Sequence, residues 1–245
     1  MIHVFDEVKK QLPKMTFADD LMCFIVFGSS VVNANKDKKP GDCDICVVVK
    51  NRDVNLKKIA NFIFSYFNQP DYRIYFMDEI ESSLPHMDYG VGVFSIEYFA
   101  HGRSLFGENI FKELLVKTDK EKLKESYLNK ISEYIIRIRR AYISPNNNSE
   151  YKYWHTYKYV LRLMIDILLY KEIINYGQML YTDRDEILTL CKKIGLVSER
   201  VRVDFSDTES IYKLFEALNK SIIKPDPMDN SKTETRLYDR HKMII

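Results

Sequence analysis

Two short apolar runs constrain the fold of this chain most strongly. The first spans residues 21–27 (LMCFIVF) and stops at Gly28, and the second spans residues 44–49 (DICVVV) and stops at a polar turn that begins with Lys50. Runs of this length, rich in β-branched residues and bounded by turn residues, are typical of buried strands. The first half of the chain is therefore predicted to contain a sheet with two buried strands.

The segments around these runs predict further elements of the same domain. Apolar residues recur at helical spacing in residues 2–12 and 55–67, which predicts two helices. Residues 72–77 (YRIYFM) follow an Asn-Gln-Pro turn and predict a third strand. Residues 93–106 predict a helix that ends at the His-Gly pair at 101–102, with the glycine as its C-cap.

Glycine use divides the chain into two parts. Six of the eight glycines lie between residues 28 and 107, so a turn-rich first half precedes a turn-poor second half. In the second half, apolar residues recur at three- and four-residue steps, which predicts a bundle of four helices with Trp154 in its core. We expect an α+β chain with a strand-containing domain at 1–115, a helical domain at 116–223 and a mobile, proline-punctuated tail at 224–245.

Composition and cysteine use indicate the compartment. Hydrophobic residues make up 46% of the 245 residues and the formal net charge is only +2, so charge alone does not indicate a nucleic-acid partner. The N-terminus has no apolar signal-peptide core, and no run reaches the roughly 18 apolar residues that span a membrane. The four cysteines form no disulfide framework, and Cys43 and Cys46 would point to opposite faces of a strand. These features predict a soluble cytoplasmic protein without membrane contact.

The turn after the first buried strand carries the first chemical signal. Gly28 follows the strand directly, and a glycine at this place lets backbone N–H groups approach a phosphate closely. Ser29 and Ser30 add two hydroxyl donors beside it. The turn is therefore predicted to hold phosphate groups.

An Asp-x-Asp pair opens the second buried strand. Asp42 and Asp44 are two residues apart, so both carboxylates face the same side of a strand. Adjacent carboxylates are costly unless a cation neutralises them, and a hard cation such as Mg²⁺ prefers oxygen ligands. The pair predicts a magnesium site beside the phosphate-binding turn, a combination that nucleotidyl transfer requires. The same residues also fit an ordinary α/β domain with a Gly-Ser turn and a solvated Asp pair.

Taken together, the turn and the Asp pair resemble the signature of the DNA-polymerase-β-like nucleotidyltransferase superfamily. That signature is an apolar residue followed by Gly-Ser, a spacer, and D-x-D before an apolar strand; here it is FGS at 27–29 and DCDI at 42–45. HGRSLFG at 101–107 resembles the stretch that often ends the catalytic domain in small members. The helical second half resembles the bundle of aminoglycoside-type nucleotidyltransferases.

The resemblance implies an N-terminal catalytic domain on a mixed sheet, followed by a helical bundle. It implies transfer of a nucleoside monophosphate from a nucleoside triphosphate, expected to be ATP, to a hydroxyl acceptor with release of pyrophosphate. Asp42 and Asp44 would bind Mg²⁺. The turn at 28–30 and Arg103 would hold the donor triphosphate. The acceptor stays open among a small molecule, a tRNA end and a protein side chain, and a partner protein or homodimer is compatible with the sequence.

One departure from the superfamily pattern concerns a third carboxylate. The resemblance implies an acid on the next core strand, near position 73, as metal ligand or general base, but Arg73 stands there. Asp71, two residues earlier on the same face, is the candidate catalytic base, and Asp88 and Glu97 are more distant candidates. Two functions therefore stay open: an enzyme with a relocated base, or a nucleotide-binding regulatory or antitoxin-like relative with weakened catalysis.

Overall fold

Among the described residues, one mixed sheet lies in the first half of the chain. The computed structural model describes residues 2–28, 31, 43–81, 93–145, 148–180 and 182–222. The strands are β1 Leu21–Phe27, β2 Cys43–Val49, β3 Pro70–Phe76 and β4 Arg103–Phe106, in the spatial order β3-β2-β1-β4. β1 is antiparallel to both of its neighbours, whereas β2 and β3 are parallel. The predicted mixed sheet is therefore confirmed.

Helices surround the sheet and make up the second half. In chain order they are α1 Ile2–Gln11, α2 Leu56–Tyr66, α3 Met77–Glu81, α4 Val93–Ala100, α5 Ile110–Lys117, α6 Lys120–Ile143, α7 Ser149–Tyr170, α8 Tyr176–Met179, α9 Arg184–Lys193 and α10 Thr208–Ile222. The predicted helices at 2–12 and 55–67 are confirmed as α1 and α2. Asn55 caps α2, because its side chain accepts a hydrogen bond from the backbone N–H of Lys58.

Both faces of the sheet are covered, because β1 and β2 alternate buried side chains onto each face. On one side, the α1 face, lie Phe24, Val26, Cys43, Ile45 and Val47, packed against α1 and α2 side chains that include Phe5 and Ile63. On the other side, the α4 face, lie Cys23, Ile25, Phe27, Cys46 and Val48, packed against Phe99 of α4 and Phe111 of α5. Cys43 and Cys46 therefore diverge as predicted, and all four cysteines are free and buried.

The helix predicted to end at the His-Gly pair at 101–102 is confirmed as α4, which ends at Ala100, whereas the strand β4 that follows it was not predicted. β4 pairs with β1, and this pairing depends on the small size of Gly102. A Cβ on Gly102 would lie 2.3 Å from Cγ2 of Ile25, which is too close for two carbon atoms. Glycine therefore admits the chain beside the central strand, a contact between distant residues that helical spacing does not encode.

The chain divides into two compact units. One consists of Met1–Ser126 and Tyr176–Tyr181, and the other of Tyr127–Asn175 and Thr182–Ile245. In the second unit α7 packs against α9 and α10. The predicted α+β class, with helices following a mixed sheet, is confirmed, whereas the tail predicted at 224–245 lies outside the described residues. Across the described ranges, each helix falls short of the length and apolarity needed to span a membrane.

Trp154 does not lie in the core of the second unit, contrary to the prediction. Its side chain is 54% exposed, whereas Leu163 on the same helix is fully buried. The two residues are nine positions apart, which is about two and a half turns at 3.6 residues per turn, so they lie on opposite sides of α7. The helix is correctly predicted, but its buried side is the one that carries Thr156, Val160 and Leu163.

Candidate active site

Two carboxylates lie side by side where β2 and β3 begin. Asp44 and Asp71 are direct partners in the parallel pairing of these strands. Partners in a sheet point to the same face, and neighbouring strands are only about 4.8 Å apart. Asp44 alternates with Cys43 and Ile45 of the α1 face, so both carboxylates lie on the α4 face. Asp44 is half-buried and Asp71 is exposed, which leaves the pair open at its outer side.

Gly28 brings the end of β1 to the same place. Because β1 is antiparallel to β2, its last residue, Phe27, pairs with Asp44, and Gly28 follows at the same end of the sheet where β2 and β3 begin. The backbone of Gly28 has a φ of +65°, which L side chains rarely adopt. A Cβ at this position would lie 2.6 Å from Oδ2 of Asp44. Glycine is therefore required here by the backbone conformation and by the carboxylate that lies against it.

Tyr98 of α4 is a site residue that the sequence did not reveal. Its hydroxyl lies 3.5 Å from the position that a Cβ of Gly28 would take, and its ring packs on Phe27 with a centroid distance of 5.4 Å. On its other side Tyr98 contacts the ring of Tyr176 at 5.3 Å. Tyr176 comes from the second half of the chain but belongs to the first compact unit. No local pattern connects residues this far apart in sequence, so only the tertiary structure brings Tyr98 to the site.

His101 extends this aromatic group beyond the carboxylates. Its imidazole stacks on Tyr176 with a centroid distance of 5.2 Å and an interplanar angle of 28°. Burial lowers the pKa of His101 from its ordinary value, and the positive charge of Lys112 adds to that effect. The lowered pKa favours the neutral imidazole, which suits packing against Tyr176 better than a role that needs a positive charge.

Arg73 lies on the face that carries the two aspartates. It is two residues after Asp71 on β3, and its side chain is exposed. Its guanidinium carbon lies 6.0 Å from the ring centroid of Phe27 and 5.9 Å from that of Phe99, at the outer limit of a cation–π contact. Burial raises the pKa of the nearby Tyr75 phenol, and Arg73 partly offsets that rise. Arg73 thus extends from β3 towards the end of β1.

Arg103, predicted to contact the triphosphate, lies elsewhere. It pairs with Val26 across β4 and β1, which places it on the α1 face. There its guanidinium lies over the ring of Phe5 at 5.6 Å and 3.8 Å from a carboxylate oxygen of Asp6. The structure therefore does not bring Arg103 together with Asp44 and Asp71, and its predicted role stays a prediction.

The remaining predicted site residues are only partly described. Ser29, Ser30, Asp42 and Asp88 lie outside the described residues, and Glu97 is a buried residue of α4 with 7% exposure. Where residues are described, no group of three or more His, Cys, Asp and Glu side chains is placed to hold a metal ion. Asp44 and Asp71 nevertheless offer adjacent carboxylate oxygens, which are the donors that Mg²⁺ accepts. The donor set at the sheet edge therefore fits a hard divalent cation.

The overall fold is similar to that of a known nucleotide-using enzyme. The match is to the crystal structure of spectinomycin adenyltransferase AAD(9) from Enterococcus faecialis with ATP and spectinomycin, at a TM-score of 0.50 and 16% sequence identity, covering 90% of this chain and 100% of that chain. No family model matches this sequence, and no curated protein matches it either. The likeness shows a nucleotidyltransferase-like fold, and at this identity it says nothing further about individual residues.

Proposed function

We propose that this chain is a nucleotidyltransferase that moves a nucleoside monophosphate from a nucleoside triphosphate, with ATP the expected donor, to a hydroxyl acceptor. The observation that carries the proposal is the pairing of Asp44 with Asp71 beside Gly28, at the edge of a sheet with a nucleotidyltransferase-like fold. Nucleotidyl transfer needs carboxylates next to a phosphate-binding turn, because charge builds up on the phosphoryl oxygens as the reaction proceeds.

The proposed reaction is an in-line displacement at the α-phosphorus. The acceptor hydroxyl oxygen forms a new bond to that phosphorus, and the bond from the α-phosphorus to the bridging oxygen of the β-phosphate breaks. Pyrophosphate leaves with the electron pair of the broken bond, and the hydroxyl proton passes to the carboxylate of Asp71. Asp71 is suited to accept it because it is exposed and lies next to Asp44.

The β1 end is proposed to hold the donor. Gly28 turns the chain in the left-handed conformation, and the absence of a side chain lets phosphate oxygens approach the backbone N–H groups. The sequence adds Ser29 and Ser30 as hydroxyl donors to the same phosphates. Asp44, with Asp42, is proposed to bind Mg²⁺, and bound Mg²⁺ would neutralise charge on the phosphoryl oxygens.

The acceptor is proposed to be a small molecule with a hydroxyl group. The similar structure contains spectinomycin, so small hydroxylated compounds are the first class to test, followed by tRNA and protein hydroxyls. The alternative function, nucleotide binding without transfer in a regulatory or antitoxin-like protein, rests on Arg73 in place of an acid. In the structure it is Asp71 that pairs with Asp44, while Arg73 pairs with Cys46. A carboxylate therefore accompanies Asp44 even with an arginine on the strand.

The test is a transfer assay on the whole chain with ATP labelled at the α-phosphorus and Mg²⁺. Panels of aminocyclitols and aminoglycosides, tRNA and protein are offered separately, and both label transfer and pyrophosphate release are measured. We expect label on one acceptor class with one pyrophosphate released per transfer. Repetition with GTP, CTP and UTP tests the donor. Nucleotide binding without transfer to any class of acceptor would favour the regulatory alternative.

A further inference from the structure

We propose that Arg73 is the anchor that holds the donor triphosphate in this site before a metal ion binds. The inference rests on the proposed function and deepens it, because it assigns the phosphate contact to the arginine that stands where the superfamily pattern has an acid. It also predicts that the chain binds a nucleoside triphosphate measurably without Mg²⁺.

The strand register places Arg73 on the same sheet face as Asp44, one same-face position further along the strands. Arg73 pairs with Cys46 on β2, whereas Phe27 on β1 pairs with Asp44, one same-face position nearer the edge. Two strand spacings of about 4.8 Å separate β3 from β1. A guanidinium carbon that starts from β3 and ends 6.0 Å from the Phe27 centroid therefore extends across β2 towards β1. It thereby comes near the side chain of Phe27, the residue directly before the turn at Gly28, where the donor phosphates are proposed to lie.

The contacts of Arg73 leave it able to take up an anion. The rings of Phe27 and Phe99 lie at the outer limit of a cation–π contact, and the guanidinium donates a hydrogen bond to the Tyr75 hydroxyl, so most of its five N–H donors are not used by these contacts. In the described part of the chain, no carboxylate lies within ion-pair distance of the guanidinium. A planar fork of N–H donors matches two phosphate oxygens at once, which an ammonium group does not. The arrangement is that of a positioned phosphate clamp.

Electrostatics explain why the site needs such a group. Asp44 and Asp71 are adjacent and acidic, so they repel a triphosphate when no cation lies between them. Arg103 does not offset this repulsion, because it lies on the α1 face beside Asp6. Arg73 supplies a fixed positive charge on the correct face. A purely structural Arg73 would instead only relieve the repulsion between the aspartates, and its removal would change stability and leave nucleotide binding unchanged.

The experiment measures ATP binding to the full chain by calorimetry, first in EDTA and then with excess Mg²⁺. The variants are Arg73→Gln, which removes the charge, and Arg73→Lys, which keeps the charge but loses the fork. Arg52→Gln is the control for loss of an exposed arginine over an aromatic ring: Arg52 lies 4.7 Å from the centroid of Phe76, with its guanidinium paired to Asp78 and Glu79. Thermal unfolding of each variant reports stability separately.

In EDTA we expect Arg73→Gln to weaken ATP binding by about 10- to 100-fold, the range for losing a hydrogen bond to a charged group. Arg73→Lys should fall between that variant and the wild type, and Arg52→Gln should match the wild type. With Mg²⁺ the loss of ATP affinity in Arg73→Gln should be smaller, because the metal ion then neutralises part of the phosphate charge. If Arg73→Gln does not fold, Arg73→Lys tests the proposal instead. For this variant the proposed clamp predicts weaker ATP binding than the wild type in EDTA, at an unchanged melting temperature.

The outcomes separate this inference from the proposed function. Binding by Arg73→Gln within about twofold of the wild type in EDTA, well below the expected effect of a charged hydrogen bond, overturns the clamp and leaves the proposed function standing. Wild-type binding that appears only with Mg²⁺ overturns it as well. If the wild type binds no nucleoside triphosphate under either condition, the proposed function itself fails.

Discussion

Replacing Gly28 by alanine should strongly lower nucleotidyl transfer, while the loss of stability should be close to the cost of placing an L residue in the left-handed conformation. Gly28 has a φ of +65°, and an L residue pays about 1–2 kcal/mol in that conformation. The new Cβ would also lie 2.6 Å from Oδ2 of Asp44, several tenths of an ångström inside normal contact. The clash is with the end of a side chain, so rotation of the carboxylate relieves it. That rotation displaces a group that the proposed chemistry needs in place, and a displacement of about 1 Å can cost on the order of 100-fold in rate.

Gly195→Ala is the matched control for this substitution. Gly195 has a φ of +73°, and a Cβ there would meet nothing within 4 Å, so the control carries the backbone cost without a new contact. Urea unfolding of both variants should show losses of about 1–2 kcal/mol, whereas nucleotidyl transfer should fall about 100-fold in Gly28→Ala only. Transfer by Gly28→Ala within a factor of three of Gly195→Ala would refute the reasoning that Gly28 positions Asp44.

Other predictions follow from single contacts in the first unit. Tyr98→Phe should lower transfer about 3- to 10-fold, as expected for losing one hydroxyl at a polar site, with unchanged unfolding by urea; an unchanged rate would remove Tyr98 from the site. Gly107→Ala should cost about 2–5 kcal/mol, since its Cβ would overlap the backbone oxygen of Met22, which cannot rotate away; urea unfolding close to wild type would contradict this packing. The folded pKa of His101 is lowered by burial, so its stability contribution is present above about pH 6.5 and lost as pH falls through the folded pKa. The free energy of unfolding should therefore fall less between pH 7.5 and pH 5.5 in His101→Phe than in the wild type. If the two proteins lose the same stability over this pH range, the buried imidazole does not contribute as described.

The strands and helices that were predicted correctly carry their signal locally. Residues 21–27 and 45–49 are apolar because both faces of their strands are buried, so a short window suffices to recognise them. β4 has no comparable signal. It exists because Gly102 admits the chain beside Ile25, and a contact between residues so far apart is invisible to periodicity.

The candidate site was only partly predictable for the same reason. Alternation along a strand correctly placed Asp71 and Arg73 on one face, but only strand register shows that Asp71 pairs with Asp44. Arg103 was assigned to the phosphates from a motif, without knowledge of which sheet face its strand would present. Tyr98 reaches Gly28 through the packing of α4 on the sheet, which no spacing in the sequence encodes.

The central claim is that Asp44 and Asp71 act together on one phosphoryl group, and a double-mutant cycle tests it most directly. Transfer from α-labelled ATP is measured for Asp44→Asn, Asp71→Asn and the double variant. Asp53→Asn, an exposed aspartate just beyond the opposite end of β2, is the control. We predict losses of about 1000-fold or more in each single variant, since either change removes a charge from the reacting centre. The double variant should lose little more, because groups that act as a unit are not additive. Losses that simply multiply, or single variants within about tenfold of Asp53→Asn at equal melting temperature, would contradict the account.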